Sequence, residues 1–110
     1  MTKTRTYSRF TTEATKLLGS LVKLARKERK LTTQDLADRA GISRSTLQRI
    51  EKGDLKCEIG LMFEVASIVG VKLFDADNET LDQHIDRTND KIALLPKSIH
   101  KPKQELDDDF

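Results

Sequence analysis

The most distinctive chemistry of this chain lies in one short stretch, AGISRSTLQRIEKG, which covers residues 40–53. Its polar and basic side chains are those of Arg44, Ser45, Gln48 and Arg49. Guanidinium, hydroxyl and amide groups offer many hydrogen-bond donors, and a guanidinium is always cationic. At helical spacing Leu47 and Ile50 fall on the opposite side and can anchor the helix against a core. The stretch therefore predicts a short helix whose outer face is free to bind a polar partner.

Other kinds of chemistry find no support in the sequence. No nucleophile lies beside a base, and neither a glycine-rich phosphate loop nor a pair of carboxylates in a plausible pocket can be identified, so we expect no enzyme and no cofactor. Cys57 is the single cysteine, which excludes an internal disulfide and a multi-cysteine zinc site. His84 and His100 are far apart and lack the spacing of metal ligands. We expect no metal site.

The two halves of the chain carry opposite charge. Residues 1–56 contain 14 Lys and Arg against 6 Asp and Glu, whereas residues 57–110 contain 6 against 12. The balances of +8 and −6 suggest that the first half meets an anionic partner, although two ordinary solvated surfaces would give the same numbers. The sequence contains no apolar run of the length of a membrane span and no apolar core of a signal peptide. We expect a cytoplasmic, nucleoid-associated protein without a membrane partner.

Apolar periodicity and capping residues predict an all-α fold. The helices are expected at about residues 12–29, 33–40, 44–52, 58–69 and 78–95. The apolar residues of the first helix are Ala14, Leu17, Leu18, Leu21, Val22, Leu24 and Ala25. Those on the inner side of the fourth are expected to be Ile59, Met62, Val65, Ala66 and Val69. Residues 71–74, VKLF, are too few to assign and could form a short strand or the lead-in to the last helix.

These elements suggest four segments along the chain. Residues 1–11 are expected to be a flexible basic arm, and residues 12–74 a DNA-binding domain. Residues 75–95 form a dimerisation or partner helix, because their apolar positions make a narrow stripe of the kind that meets another helix. Residues 96–110 contain two prolines and a terminal acidic cluster and are expected to be a flexible tail.

Two short helices joined by a tight glycine turn are typical of a helix-turn-helix. Ala37 lies four residues before Gly41, where the two helices cross and only a small side chain fits. Ile42, Leu47 and Ile50 then hold the second helix against the core. A purely structural helical hairpin would satisfy part of this spacing, but the complete pattern favours DNA binding.

The segment LTTQDLADRAGISRSTLQRIEKG, followed by IGLMFEVASIVGV, resembles the Cro and phage-repressor (Xre) type of DNA-binding domain over about residues 14–71. The resemblance implies a five-helix, phage-repressor-like domain, followed here by an extra C-terminal helix or short strand and a flexible tail. It also implies a homodimer that binds a palindromic operator in double-stranded DNA and represses transcription. In this family the second helix of the motif enters the major groove.

Position by position, the resemblance assigns roles to twelve residues. Base edges would be read by Arg44, Ser45, Thr46, Gln48 and Arg49. Phosphates would be bound by Thr33, Gln34, Ser43, Lys52 and Lys56. The family often has a phosphate-binding glutamine where this chain has Thr33, with Gln34 one place later. Arg26 and Glu51 would form a structural ion pair that orients the recognition helix. Cys57 stands where the family often has proline and is read as a small neutral replacement.

The ending LLPKSIHKPKQELDDDF is similar to the C-termini of HipB-like antitoxins, the repressor partners of HipA-like kinase toxins. This resemblance implies a toxin–antitoxin component that represses its own operon and binds a HipA-like kinase. A phage-type or metabolic regulator without a toxin partner is the first alternative. A protein-interaction adaptor whose helix-turn-helix no longer binds DNA is the second, and the retained Arg44, Ser45 and Arg49 argue against it.

Overall fold

A computed structural model describes residues 5–74, 78–99 and 101 of the chain. These residues form five α-helices and no strand: α1 Arg9–Glu28, α2 Thr33–Ala40, α3 Arg44–Glu51, α4 Ile59–Ile68 and α5 Asn78–Ala93. The prediction of an all-α fold is confirmed. The chain divides into two compact units, Met1–Leu73 and Phe74–Phe110, so that α1–α4 belong to the first unit and α5 to the second. None of the described helices is long and apolar enough to span a membrane.

Helix α1 begins three residues before the predicted start. Ser8 has extended backbone angles, and its hydroxyl oxygen accepts a hydrogen bond of 3.2 Å from the Thr11 N–H. This is an N-cap, which satisfies one of the free amide groups of the first helical turn. Residues 9–11 are therefore helical and not part of an arm, and the expectation of an arm reaching residue 11 is wrong at that end. Residues 1–4 lie outside the described part of the chain.

Local capping signals determine where the helices of the motif begin, and both begin at the predicted residues. Helix α2 also ends as predicted, whereas α3 ends at Glu51, one residue before the predicted end. Thr32 and Asp35 form a reciprocal capping box at the start of α2, with distances of 2.9 and 3.0 Å. Gly41 closes α2 with φ of 70°, a left-handed conformation that glycine adopts without the strain a Cβ would add. Ser43 then caps α3, because its hydroxyl oxygen accepts a hydrogen bond of 3.1 Å from the Thr46 N–H.

One aliphatic core holds the first unit together. Its fully buried or nearly buried members are Val22, Ala25, Leu36, Ala37, Leu47, Ile50, Val65, Ala66 and Val69. All four helices of the unit contribute, so each depends on the others for burial of its apolar face. The predicted anchors of the recognition helix, Leu47 and Ile50, have no exposed surface at all. The core therefore fixes which side of α3 points outward.

Two predicted apolar faces differ from the observed ones. Ile59 was expected on the inner side of α4, but it is 72% exposed because it is the first residue of that helix and precedes the part that packs on the core. In α1 the apolar residues do not form one face: Val22 and Ala25 are buried, whereas Leu17, Leu21 and Leu24 remain exposed. A helix in contact with a core on one side cannot bury an apolar surface that extends around more than half its circumference.

The segment after α4 forms no strand. Residues 71–74 are irregular, and the Val71 N–H donates to the Ala66 carbonyl oxygen at 2.8 Å in a helix-terminating turn. Val71 and Leu73 pack against the core of the first unit, which explains the apolar character of VKLF without a strand. In the second unit α5 ends at Ala93, two residues before the predicted end. Residues 75–77, 100 and 102–110, including most of the predicted tail, lie outside the described residues.

Candidate nucleic-acid interface

The outer face of α3 carries the residues for which base contacts were predicted. Leu47 and Ile50 point into the core, and the side chains of Arg44, Ser45, Gln48 and Arg49 are exposed. Thr46 is half-buried beside them. An eight-residue helix is about 12 Å long, comparable to the width of the DNA major groove. The face therefore has the size and the donors needed to lie against base-pair edges.

Hydroxyl groups cluster at the N-terminus of α3. Ser43 Oγ lies 3.2 Å from Ser45 Oγ and 2.8 Å from Thr46 Oγ1, while it also accepts the capping bond from the Thr46 N–H. The partial positive charge of a helix N-terminus favours an anion at this end. The Ser43 and Thr46 hydroxyls are thus partly used within the protein, and Ser45, more exposed than Thr46, is better placed to meet a partner.

Arg49 is held by a carboxylate that the sequence did not single out. Its Nε donates to Asp54 Oδ2 at 2.8 Å, and the other oxygen of Asp54 accepts the Lys56 backbone N–H at 2.8 Å. The hydrogen bond and charge of Asp54 raise the pKa of Arg49, while the Lys56 N–H and then Arg49 lower the pKa of Asp54. The Asp54 carboxylate is thereby fixed by the loop backbone, and it orients the Arg49 side chain from one side.

The geometry of this contact leaves Arg49 able to bind a second group. A guanidinium has five N–H donors, and the contact with Asp54 uses the one on Nε. The four donors on the terminal nitrogens are the ones that form the bidentate fork used to bind guanine or phosphate. Half of the Arg49 side chain remains exposed. Asp54 therefore positions Arg49 and does not occupy its fork.

The predicted phosphate ligands lie on three neighbouring stretches of the chain. Thr33 is half-buried in the first turn of α2, and the Gln34 amide nitrogen donates to Asp38 Oδ1 at 2.7 Å. Lys52 is the exposed C-cap of α3, and Lys56 is exposed in the following loop. Both lysines are exposed and cationic, whereas Gln34 has one amide N–H bound to Asp38 and one left to donate to a phosphate.

The C-terminal end of α3 is attached to α1 by an ion pair. Arg26 Nε donates to Glu51 Oε2 at 2.7 Å and Nη2 donates to Oε1 at 3.1 Å, while Nη1 donates to the Leu31 carbonyl oxygen at 2.9 Å. The two side chains are only 8% and 7% exposed. The hydrogen bond with Glu51 raises the pKa of Arg26 against the opposing effect of burial. Arg26 thus joins α1, the loop before α2 and the end of α3 through one side chain.

Gly19 provides a second contact between α1 and the C-terminal end of α3. Gly19 is buried, and a Cβ placed on it would lie 2.5 Å from the Ile50 carbonyl oxygen and 2.7 Å from that of Glu51. The backbones of α1 and α3 therefore approach each other as closely as a missing side chain allows. This contact could not be predicted from the sequence, because a glycine inside an amphipathic helix indicates only a weak helix former.

Cys57 lies in the loop between α3 and α4, and its thiol is expected to be unreactive. Burial is the main cause that raises the pKa of its thiol, and the nearby Asp54 charge adds to it. A thiol with a raised pKa stays protonated at neutral pH and is a poor nucleophile. Among the described residues no group of three or more His, Cys, Asp or Glu could hold a metal ion.

Comparison with known proteins points to one kind of domain. A family model described as helix-turn-helix matches residues 22–75. The chain is also 44% identical over 45 residues to an uncharacterized HTH-type transcriptional regulator of Methanocaldococcus jannaschii, a region that covers 41% of this chain and 68% of that protein. No solved structure matches significantly. The matched region contains the capped helices α2 and α3, and its first residue lies after Gly19.

Proposed function

This chain belongs to the helix-turn-helix family of transcriptional regulators, and we propose that it is a sequence-specific, DNA-binding repressor that acts as a homodimer. We further propose that it is the antitoxin of a HipA-like kinase toxin–antitoxin operon and represses its own promoter. The observation that carries DNA binding is the outer face of α3, where exposed donors lie on a helix that Ser43 caps at its start and the Arg26–Glu51 pair attaches to α1 at its end. A regulator without a toxin partner is the alternative.

Base recognition would follow from the side chains on this face. The two terminal nitrogens of Arg44 or Arg49 can donate together to O6 and N7 of guanine, and the Gln48 amide can pair with adenine. The hydroxyl groups at the start of α3 suit a phosphate or a base edge. Because Asp54 orients Arg49, the entropy lost when that side chain binds DNA is smaller than for a free arginine.

Backbone contacts would supply much of the affinity. Lys52 and Lys56 lie at the end of α3, and the start of α3 offers the positive end of its helix dipole. Each phosphate neutralised by a cationic side chain releases counterions, so binding should weaken as salt concentration rises. The excess of basic residues in positions 1–56 has the sign that such binding requires.

A gel-shift titration with the upstream promoter region tests the DNA-binding proposal. Wild-type protein should bind a palindromic fragment more tightly than a scrambled one, and Arg44→Ala should reduce affinity by about 1–3 kcal/mol and relax selection at one base position. Arg29→Ala is the matched control, since Arg29 is an equally exposed arginine at the end of α1 and not on α3. Equal affinity and selectivity of Arg44→Ala and wild type would refute the assignment of the interface.

The antitoxin part rests on the second half of the chain. Residues 57–110 carry a balance of −6, which repels phosphate and suits a protein partner. The resemblance of the ending to HipB-like antitoxins supplies the class of that partner. Affinity purification of the tagged full chain from its native host should recover a kinase encoded by the adjacent gene. Recovery of DNA-bound regulator without any such kinase would favour the toxin-free alternative.

A further inference from the structure

Helix α1 has a second apolar stripe on its outer side. The stripe consists of Phe10, Ala14, Leu17, Leu21 and Leu24, which we call the outer seam. Phe10 is 80% exposed, and the leucines are 60%, 41% and 54% exposed in chain order. Single exposed apolar residues are ordinary, but a continuous row of them along one helix is typical of an interaction surface. The outer seam is separate from the face of α1 that packs on the core.

The spacing of the outer seam is that of a coiled coil. Its residues follow one another at steps of four, three, four and three, and a further step of four reaches Glu28 at the end of the helix. This alternation keeps a stripe facing one partner helix over two heptads. The partner is therefore an α-helix with a similar seam.

We propose that the outer seam packs against the outer seam of a second copy, with the two α1 helices antiparallel. This inference rests on the proposed homodimer and assigns its interface to α1, in place of the helix at residues 75–95 that the sequence analysis proposed for dimerisation or partner binding. In the symmetric register, each Leu17 lies level with Leu21 of the partner subunit, and each Ala14 with Leu24 of the partner subunit. Two leucines thus meet in each central layer, and the small Ala14 faces the large Leu24 in the next layer outward.

Charged residues beside the outer seam favour the antiparallel orientation of the two α1 helices. Glu13 and Lys27 lie on the same exposed flank, 14 residues apart on either side of Ser20. In the same antiparallel register, whose centre is residue 19, Lys27 of the partner subunit lies two residues, about 3 Å along the helix axis, beyond the position level with Glu13, so the two long side chains can form an ion pair across the flank. Parallel pairing would instead put two Glu28 side chains level with each other in the seam and would leave Lys27 without a facing residue on the partner's α1.

The size of the surface fits a modest dimer. The exposed parts of the five seam residues from two copies would bury roughly 1,000 Å², which is at the lower limit for a specific interface. The homodimer should therefore dissociate at micromolar concentration in the absence of DNA. When two copies bind the two half-sites of one palindrome, each is at a high effective concentration for the other. The dimer is therefore favoured on the DNA.

Sedimentation velocity over a concentration series of the full chain tests the seam. Leu17→Glu with Leu21→Glu should raise the dimer dissociation constant at least tenfold, because it buries like charges at the centre of the pairing. Ile59→Glu is the matched control: the same change at an exposed apolar residue of α4 should leave association unchanged. Circular dichroism should show that both variants fold, since none of the substituted residues belongs to the core.

A charge exchange separates this pairing from other occupants of the seam. Glu13→Lys alone and Lys27→Glu alone should each weaken the dimer several-fold, and the double variant should restore it, because the opposite charges then face each other again. Loss of the intrachain Arg9–Glu13 pair cannot explain restoration, since it stays broken in the double variant. Failure of the double variant to recover would overturn the antiparallel pairing and indicate another helix as the occupant.

The results also separate this inference from the proposed function. A dimer that survives the Leu17 and Leu21 substitutions would refute the interface and leave the homodimer intact. A wild-type chain that stays monomeric at every concentration would refute both. If the interface is right, the monomeric variant should keep its affinity for a DNA fragment with one half-site and lose affinity for the full palindrome.

Discussion

Removal of Glu51 should strongly destabilise the first unit, because its nearly buried carboxylate is the partner of the Arg26 guanidinium. In Glu51→Leu the Arg26 guanidinium would keep one partner, the Leu31 carbonyl oxygen at 2.9 Å, and lose two hydrogen bonds and the compensating charge. The Arg26 side chain is only 8% exposed, so water cannot replace what is lost. An unpaired charge at such a site costs about 3–5 kcal/mol.

That cost is large for a unit of this size. A domain of about 70 residues has a free energy of unfolding of roughly 5 kcal/mol, so Glu51→Leu should be close to unfolding at room temperature. Urea denaturation followed by far-ultraviolet circular dichroism measures the difference directly. Glu64→Leu is the matched control, because Glu64 is exposed on α4 and its replacement should change stability by no more than about 0.5 kcal/mol.

The double variant Arg26→Met with Glu51→Leu decides whether the cost comes from the lone charge. When both charges are replaced by apolar groups, no buried ion remains, and most of the lost stability should return. This variant also keeps the test informative if Glu51→Leu alone fails to fold. A loss of less than about 1 kcal/mol in Glu51→Leu would show that the pair is not needed to hold α3, whereas a double variant no more stable than the single one would show that the cost does not come from the lone charge.

Three further predictions concern the contacts around α3 and α2. Gly19→Ala should destabilise by about 2 kcal/mol in a thermal melt, although alanine is the better helix former, because its Cβ would lie 2.5 Å from a carbonyl oxygen of α3. Asp54→Asn should raise affinity for non-specific DNA and reduce discrimination in a competition gel shift, because a negative charge and the orientation of Arg49 are lost together. The Thr32 N–H lowers the pKa of Asp35, so stability should fall as pH drops from about 4 through that lower pKa, and Asp35→Asn should flatten this part of an acid titration.

Each of these predictions has a control that isolates its cause. Gly60→Ala, on the exposed start of α4 with nothing within 4 Å of the new Cβ, should stabilise by about 0.5–1 kcal/mol, and the same result for Gly19 would refute the close approach. Asp38→Asn removes a carboxylate that does not contact Arg49, so it should leave discrimination intact. Unchanged acid sensitivity in Asp35→Asn would mean that the capping box does not form.

The parts of the fold that the sequence predicted are those determined by nearby residues. The caps at Thr32 and Ser43 and the turn at Gly41 depend on hydrogen bonds within three or four residues, so the local pattern contains the whole cause. The same holds for the inner face of α3, where Leu47 and Ile50 are fully buried. The start of α1 was missed because Phe10 is the one apolar residue among the five that follow the cap, Ser8, and one apolar residue does not show a helical period.

The parts that could not be predicted depend on residues distant in the chain. Periodicity counts apolar residues on a helix but does not say how many neighbours will cover them, so the outer seam of α1 could not be told from the core face. Asp54 lies five residues after Arg49 and outside the helix, where no helical spacing rule relates the two. Folding alone brings them together.

The orientation of α3 likewise depends on residues that lie outside the helix-turn-helix motif. Its outward side chains are useful only if the helix is held in one orientation, since a shift of about 1 Å is enough to lose a bidentate contact with a base. Gly19 and Arg26 hold its C-terminal end from α1, and Gly19 precedes the matched helix-turn-helix region. Substitutions of Gly19 or Arg26 should therefore reduce discrimination between operator and scrambled sequence in a competition gel shift, whereas changes at exposed positions of α4 such as Glu64 should not.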